Sequence, residues 1–311
     1  MYRAQQLRDF NQGCFICTLS LKWNYMEYYS KHNLPTPKEP HCPVYHCLPN
    51  QKAIVTGASS GIGKEVAIML AKAGADVCVN YSKSEHKASE VAEEINLRTD
   101  CNAFTFKADV SKEDEVLSMF NAAQKRFGHI DIVVCNAGIQ RDAPLVDMSV
   151  AQFDEVIGIN LRGQFLCSRE AVRIFKKQGI IENTSCSAGK ILSIASVHDI
   201  IPWAGHVNYA ASKGGVAMLI KSIAQEVAQY RIRANIISPG AIRTPINIQT
   251  WQNHEAYEEL MKLIPYKRIG EPREVGRCAV WLASDQSDYI NGATVYIDGG
   301  MTLYPGFETG G

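Results

Sequence analysis

Tyr209 and Lys213 stand four residues apart in Tyr209-Ala210-Ala211-Ser212-Lys213. On a helix, positions i and i+4 share a face, so a phenol and an ammonium there point into one space. A free phenol has a pKa of about 10 and is a poor base near neutral pH. A neighbouring ammonium favours phenolate, and the pair could then move a proton to or from a hydroxyl. The same spacing arises on solvated helix faces, so the pair alone decides nothing. A second group of residues is Thr56-Gly57-Ala58-Ser59-Ser60-Gly61-Ile62-Gly63, directly after the apolar run Ala53-Ile54-Val55. Glycines there let the chain turn tightly and let a pyrophosphate reach a helix N-terminus, where free N–H groups and the dipole favour an anion. The spacing is G-x-x-x-G-x-G, not the usual G-x-G-x-x-G.

The elements that must position these residues follow from the pattern. After Ala53–Val55 and its glycine turn, a helix is predicted over Ile62–Lys72, with apolar residues at 62, 66, 69, 70 and 73. Strand and helix then alternate. The strands are 75–80, 103–106, 132–135 and 191–194, and the helices 85–98, 112–127, 151–177 and 209–230. Ile232–Ile237 and Thr294–Ile297 are the last two strands. Short apolar strands alternating with helices predict a parallel sheet covered on both faces, an α/β/α sandwich of three layers. Right-handed crossovers make it doubly wound, with the ligand at the C-terminal strand ends. At the end of the second strand, where an NAD-binding unit carries an acid for the ribose, stand Asn80-Tyr81-Ser82-Lys83. With no carboxylate and with Lys83 at hand, this end leaves room for a 2′-phosphate and favours NADP over NAD, or dual use. Lys83 as a plain surface lysine is the alternative.

Further residues join these two groups. Ser196 lies 13 residues before Tyr209, Asn136-Ala137-Gly138 follows the fourth strand, and Asn160 lies inside the next helix. Pro239-Gly240-Ala241-Ile242-Arg243-Thr244 follows the sixth strand. The whole set resembles the short-chain dehydrogenase/reductase family over about residues 51–305. The resemblance implies a Rossmann-type subunit that moves hydride between a nicotinamide cofactor and a secondary alcohol or carbonyl. It implies Tyr209 as acid/base, and Lys213 lowering its pKa and binding the nicotinamide ribose. Ser196 would bond the reacting oxygen and Asn160 would hold a proton-relay water. It also implies Gly57, Ser59, Gly61, Ile62 and Gly63 around the pyrophosphate and ribose. Asp109 and Val110 would face the adenine, Asn136, Ala137 and Gly138 the adenosine, and Pro239, Gly240, Ile242 and Thr244 the nicotinamide. Subunits paired through the long helices 151–177 and 209–230 into a homotetramer are implied too.

Three stretches narrow the resemblance to the glucose 1-dehydrogenases of that family: Ser196-Val197-His198-Asp199-Ile200-Ile201-Pro202-Trp203, Ile237–Asn247, and Ile297–Phe307. The implied reaction is oxidation of the C1 hydroxyl of an aldose, β-D-glucose to gluconolactone. Ser196, His198, Tyr209 and Asn247 would bind the substrate. Gln140 stands where an acid is common in that subgroup, and Ala195 where a second serine is common. Ile181–Gly189 reads as an insertion of roughly seven residues, opposite the substrate end if it joins a helix to a strand. The other readings are an NADPH-dependent carbonyl reductase of the 3-oxoacyl thioester type and a non-catalytic NAD(P)-binding regulator.

Composition limits the partners. Lys+Arg and Asp+Glu are both 32 in 311 residues, so the chain lacks the basic excess that nucleic-acid binding needs. No run of about 18 apolar residues predicts a membrane span, and no secretory leader is read, so the expected place is the cytoplasm. Six single cysteines spread from Cys78 to Cys278 suit buried thiols in a reducing compartment. Residues 1–50 form a separate extension, Pro-rich from 35 to 49 and expected to be irregular over 31–50, while the aromatic stretch 15–30 is apolar enough to pack on something. The main body, 51–311, is one catalytic domain. Cys14-x-x-Cys17 and His41-Cys42-x-x-x-His46-Cys47 hold zinc-ligand types. The 24 positions from Cys17 to His41 fit no common zinc pattern, and no metal site is assigned.

Overall fold

The computed structural model describes residues 28–36, 46–245, 253–304 and 306. Seven strands form one parallel sheet in the order β3-β2-β1-β4-β5-β6-β7. They are β1 (Lys52–Val55), β2 (Asp76–Tyr81), β3 (Ala103–Lys107), β4 (Ile132–Cys135), β5 (Gly189–Ile194), β6 (Ile232–Pro239) and β7 (Thr294–Ile297). The order reverses between β1 and β4, and the cleft opens at that switch point.

Period-two alternation feeds both faces. Ala53, Val55, Val77, Val79 and Val134 point to one core layer, and Ile54, Cys78, Val133 and Ile191 to the other. The first layer is closed by α1 (Gly61–Lys72), α2 (Glu85–Arg98) and α8 (Pro272–Ala283). The second is closed by α3 (Glu113–Phe127), α5 (Gly163–Gln178) and α6 (Val207–Val227). Strands buried on both faces must be apolar throughout, and β4 is buried at all four positions.

Two helices lie where the sequence reading assigns no element, between β6 and β7. One is α7 (His254–Lys262), capped by the Asn253 side chain, which accepts from Ala256 N at 3.1 Å. The other is α8, which opens on Glu271 with Pro272 in its first turn and a reciprocal Glu271/Glu274 capping box. Another correction concerns 151–177. That stretch is α4 (Val150–Ile157), a π turn (Gly158–Arg162) and α5, because Gly163 N bonds Gly158 O across five residues. The 181–189 stretch joins α5 to the N-terminal end of β5, away from the cleft. Ser185 Oγ and Cys186 N tie it to Asp285 at 2.6 and 3.0 Å.

Cys14, Cys17, His41, Cys42 and Asn247 lie outside the described residues. His46 packs its ring over Gly74, and Cys47 packs against the first core layer. The seven described cysteines are free thiols, and no group of described residues could hold a metal. No described helix is long and apolar enough to cross a membrane.

Candidate active site

The C-terminal strand ends open into one cleft of about 830 Å³. Its floor at the β1 end is the glycine turn. Gly57 and Gly61 hold φ of +61° and +56°, a left-handed backbone that favours glycine. A Cβ on Gly63 would stand 2.4 Å from both Asn136 Nδ2 and Gly57 O, so only hydrogen fits. Asn136 ties the turn to β4: its Nδ2 donates to Thr56 O at 2.9 Å and Gly57 O at 3.1 Å. The Thr56 hydroxyl accepts from Asn136 N and Ala137 N at 2.9 and 3.0 Å. The Ser60 side chain makes no capping bond, which leaves the first N–H groups of α1 for a ligand.

These residues fit a dinucleotide. The turn has no side chains in the way, the helix start is open, and Gly57, Ser59, Gly61, Ile62, Gly63, Asn136, Ala137 and Gly138 all line the cleft. Asp109 and Val110 line it at the β3 side, with Asp109 Oδ1 accepting from Ser111 Oγ at 2.7 Å. Asn80 is buried and spent on the fold: its Oδ1 accepts from Gly57 N at 3.1 Å and its Nδ2 donates to Ala108 O at 3.1 Å. The ribose end is therefore lined by Ser82, exposed Lys83 and Ser84. Pro239, Gly240, Ile242 and Thr244 line the far wall past β6.

Ser196, Tyr209 and Lys213 converge at the other end of the cleft. Ser196 leaves β5 and caps the short 3-10 turn Val197–Asp199, its hydroxyl accepting from His198 N at 3.3 Å. Tyr209 and Lys213 sit on the first turns of α6. Burial pushes the Tyr209 phenol above its usual pKa, and the hydrogen bond with Ser196 pulls it back in part. Burial also lowers Lys213 to about 8, opposed by Asp199. Lys213 Nζ donates to Ile194 O at 2.9 Å and stands 5.5 Å from the Tyr209 ring centre. The Ser196 hydroxyl is the hydrogen-bond partner that lowers the Tyr209 pKa, and the Ile194 carbonyl holds the Lys213 ammonium at the strand end beside the ring.

Asn160 is fully buried in the π turn, its Oδ1 accepting from Ile139 N at 2.8 Å. Its Nδ2 donates to Ile139 O at 3.0 Å and to Ser212 Oγ at 3.1 Å. These bonds place the Gly138–Ile139 backbone, which lines the cleft.

Above Tyr209 lies an aromatic stack that the sequence reading missed apart from His198. The His198 and Trp203 rings stack at 4.2 Å and 15°, and Trp203 and His206 at 3.5 Å and 6°. Trp203 meets the Tyr209 ring edge-on, with centres 6.3 Å apart. His198 Nδ1 bonds Ile201 O at 3.1 Å, and His206 pairs with Asp142 at 3.2 Å. Burial keeps the His198 ring below its usual pKa. Leu260 and Leu263, from α7 and the segment after it, add apolar lining to the same cleft.

Comparison with known proteins agrees with this geometry. A family model described as enoyl-(acyl carrier protein) reductase matches residues 57–302. The chain belongs to the short-chain dehydrogenase/reductase family. It is 41% identical over 267 residues to the 3beta-hydroxysteroid dehydrogenase 1 of Eggerthella lenta, covering 86% of this chain and 99% of that one. It is 39% identical to a glucose 1-dehydrogenase of Gluconobacter oxydans, over 83% of this chain and 94% of the relative. The glucose 1-dehydrogenase 2 of Bacillus subtilis is 38% identical, over 84% and 98%. Among solved structures, a levodione reductase superposes with a TM-score of 0.76 at 35% identity, covering 83% of this chain and 99% of the other. A Burkholderia cenocepacia short-chain dehydrogenase in complex with NADP superposes with a TM-score of 0.75 at 29% identity, over 82% and 99%. This member of the family is an NAD(P)-binding oxidoreductase acting on CH–OH groups.

Proposed function

We propose that the chain oxidises a hydroxyl borne on a ring, first the C1 hydroxyl of an aldose such as β-D-glucose, giving the lactone, with NADP⁺ preferred to NAD⁺. The observation that carries it is the convergence of Ser196, Tyr209 and Lys213 beneath the stacked His198 and Trp203 rings. A flat aromatic face suits the C–H face of a ring, while Ser196 and Tyr209 hold its hydroxyl. The bound nicotinamide supplies a hydride acceptor. Ser196 orients the reacting oxygen, and Tyr209 Oη takes the hydroxyl proton as the C–H hydride leaves. The Lys213 ammonium, charged below about pH 8, favours the phenolate electrostatically. Two relatives named as glucose 1-dehydrogenases support the sugar. The homotetramer belongs to the same proposal, with exposed Phe153, Phe165 and Met218 on its long helices as candidate contact surface.

A hydroxysteroid is the second reading. It is favoured by the 41% identical relative and by the apolar wall of Ile201, Pro202, Leu260 and Leu263. The test is reduction of NAD⁺ and NADP⁺ with a panel of aldoses, hydroxysteroids and simple secondary alcohols, repeated with Lys83→Glu. Turnover of glucose is the expected outcome, with the Lys83→Glu variant losing its NADP preference. Turnover of hydroxysteroids alone moves the assignment to the second reading. NADPH oxidation by 3-oxo thioesters alone means a carbonyl reductase. Cofactor binding without any turnover means a non-catalytic role.

A further inference from the structure

The glycine turn and the Ser–Tyr–Lys group leave one described segment without a role: residues 28–34, ahead of the matched region. It is a short helical turn, Leu34 N bonding Tyr29 O at 2.9 Å, and it is seated on α7. Tyr28 and Tyr29 are 5% and 3% exposed, as buried as core residues. They share a cluster with Tyr257, Met261, Ile264 and Ile269. The Tyr28 ring meets the Tyr257 ring edge-on, with centres 5.5 Å apart. The Tyr29 hydroxyl donates to Lys267 O beyond the helix. Lys31 Nζ and His32 Nε2 both reach the Glu258 carboxylate, at 2.9 and 3.2 Å, and hold it below the usual carboxylate range.

What lies on the far side of this cluster gives the contact its meaning. Leu260, Ala241 and Met301 pack against it and also line the cleft. At nine residues α7 is too short to be stable alone, so its order depends on what it packs against. We infer that residues 28–34 are positioning residues of the substrate site. They brace α7 from behind, fix the Leu260 part of the cleft lining, and so set the affinity for the alcohol without touching the dinucleotide end. This rests on reading the cleft as the site of alcohol oxidation.

The test uses the full chain with Tyr28→Ala/Tyr29→Ala, with Lys31→Glu, and with Lys31→Glu/Glu258→Lys, which restores the charge pair. Hydrogen–deuterium exchange of 254–264 needs no substrate and tests the brace by itself. KM for whichever alcohol the panel selects, and Kd for the cofactor, test its effect on the site. Expected is exchange of α7 amides at least tenfold faster in the tyrosine variant, a KM at least fivefold higher, and a cofactor Kd within twofold. Lys31→Glu is expected to move both in the same direction by less, and the charge swap to return them. Unchanged exchange overturns the brace. Faster exchange with unchanged KM overturns its role in the substrate wall. If the tyrosine variant loses cofactor binding through misfolding, Lys31→Glu and its rescue decide. If no alcohol is turned over, the proposed function fails while the exchange result still judges the brace.

Discussion

Tyr209 stands between opposing influences. Burial raises its pKa and Ser196 lowers it, with the raise prevailing. The phenol is therefore the dominant form near neutral pH, ready to give a proton to a carbonyl. Oxidation needs the phenolate, whose fraction grows tenfold per pH unit below the pKa. Oxidation is thus expected to quicken from pH 6 upward by up to about tenfold per unit, and reduction to be flat and then fall. The rise flattens above about pH 8, where Lys213 gives up its charge. Initial rates in both directions across pH 6–10 check this, and an oxidation rate indifferent to pH would sink it. Tyr209→Phe keeps the ring contacts but removes the proton site. Turnover should fall by about 10²–10⁴-fold with cofactor affinity unchanged by fluorescence titration. That Tyr209, Lys213 and Ser196 line one cleft was legible from their spacing along one helix and one strand end taken together with the family resemblance. The Trp203–His206 stack and the Asp142 pair were not, since they join residues whose meeting depends on how two loops fold over each other. Asn160 was legible as a member of the set, but its bond to Ile139 was not, since that partner is 21 residues away and invisible to local pattern.

Among the elements, the glycine turn is the least forgiving. Gly63 opens onto Asn136 and the Gly57 carbonyl, both 2.4 Å from where a Cβ would lie. Neither neighbour yields easily, since Asn136 is itself bonded to Thr56 and Gly57. Gly63→Ala is expected to cost about 1–3 kcal/mol of stability and to weaken cofactor binding at least tenfold. Chemical denaturation and a cofactor titration measure the two separately. Binding as tight as in the parent would show that the turn does not cradle the dinucleotide. Strands were the most legible elements: β4 and β7 run over the predicted residues 132–135 and 294–297. A doubly covered sheet makes its central strands continuously apolar, as β4 is at all four positions. Neither α7 nor α8 was read, although α8 carried its own signals in Pro272 and the Glu271/Glu274 box. The reason lies in α7, whose apolar residues Tyr257 and Met261 face the N-terminal segment rather than the sheet.

Across the whole molecule, binding and anchoring sit at opposite ends of the sheet. The cleft is at the C-terminal strand ends. At the N-terminal ends Arg233, 4% exposed, donates to Leu282 O and Ser284 O at 3.0 Å and to Ser287 Oγ at 3.1 Å. Fully buried Lys190 reaches Gln51 Oε1 at 3.1 Å and bonds the Ser185 hydroxyl nearby. Removing the guanidinium takes a charged donor from the Leu282 and Ser284 carbonyls, which Ser287 also serves, and empties a buried site. Arg233→Ala is expected to lower stability by about 3 kcal/mol in urea unfolding, with cofactor Kd unchanged below the transition. A weakened Kd in the still-folded protein would show that the two ends are coupled.

The π turn at Gly158–Arg162 has a consequence for the length of the chain. It takes up one residue more than an α turn would between α4 and α5. Taking one residue out would let an ordinary α-helix run through and would keep α4 and α5 in phase, so that Leu166 and Phe175 still faced the core. What would go is the bulge that carries Asn160 to Ile139. A single-residue deletion confined to the turn is therefore a local loss at the cleft, whereas one in α5 itself would turn everything beyond by about 100°.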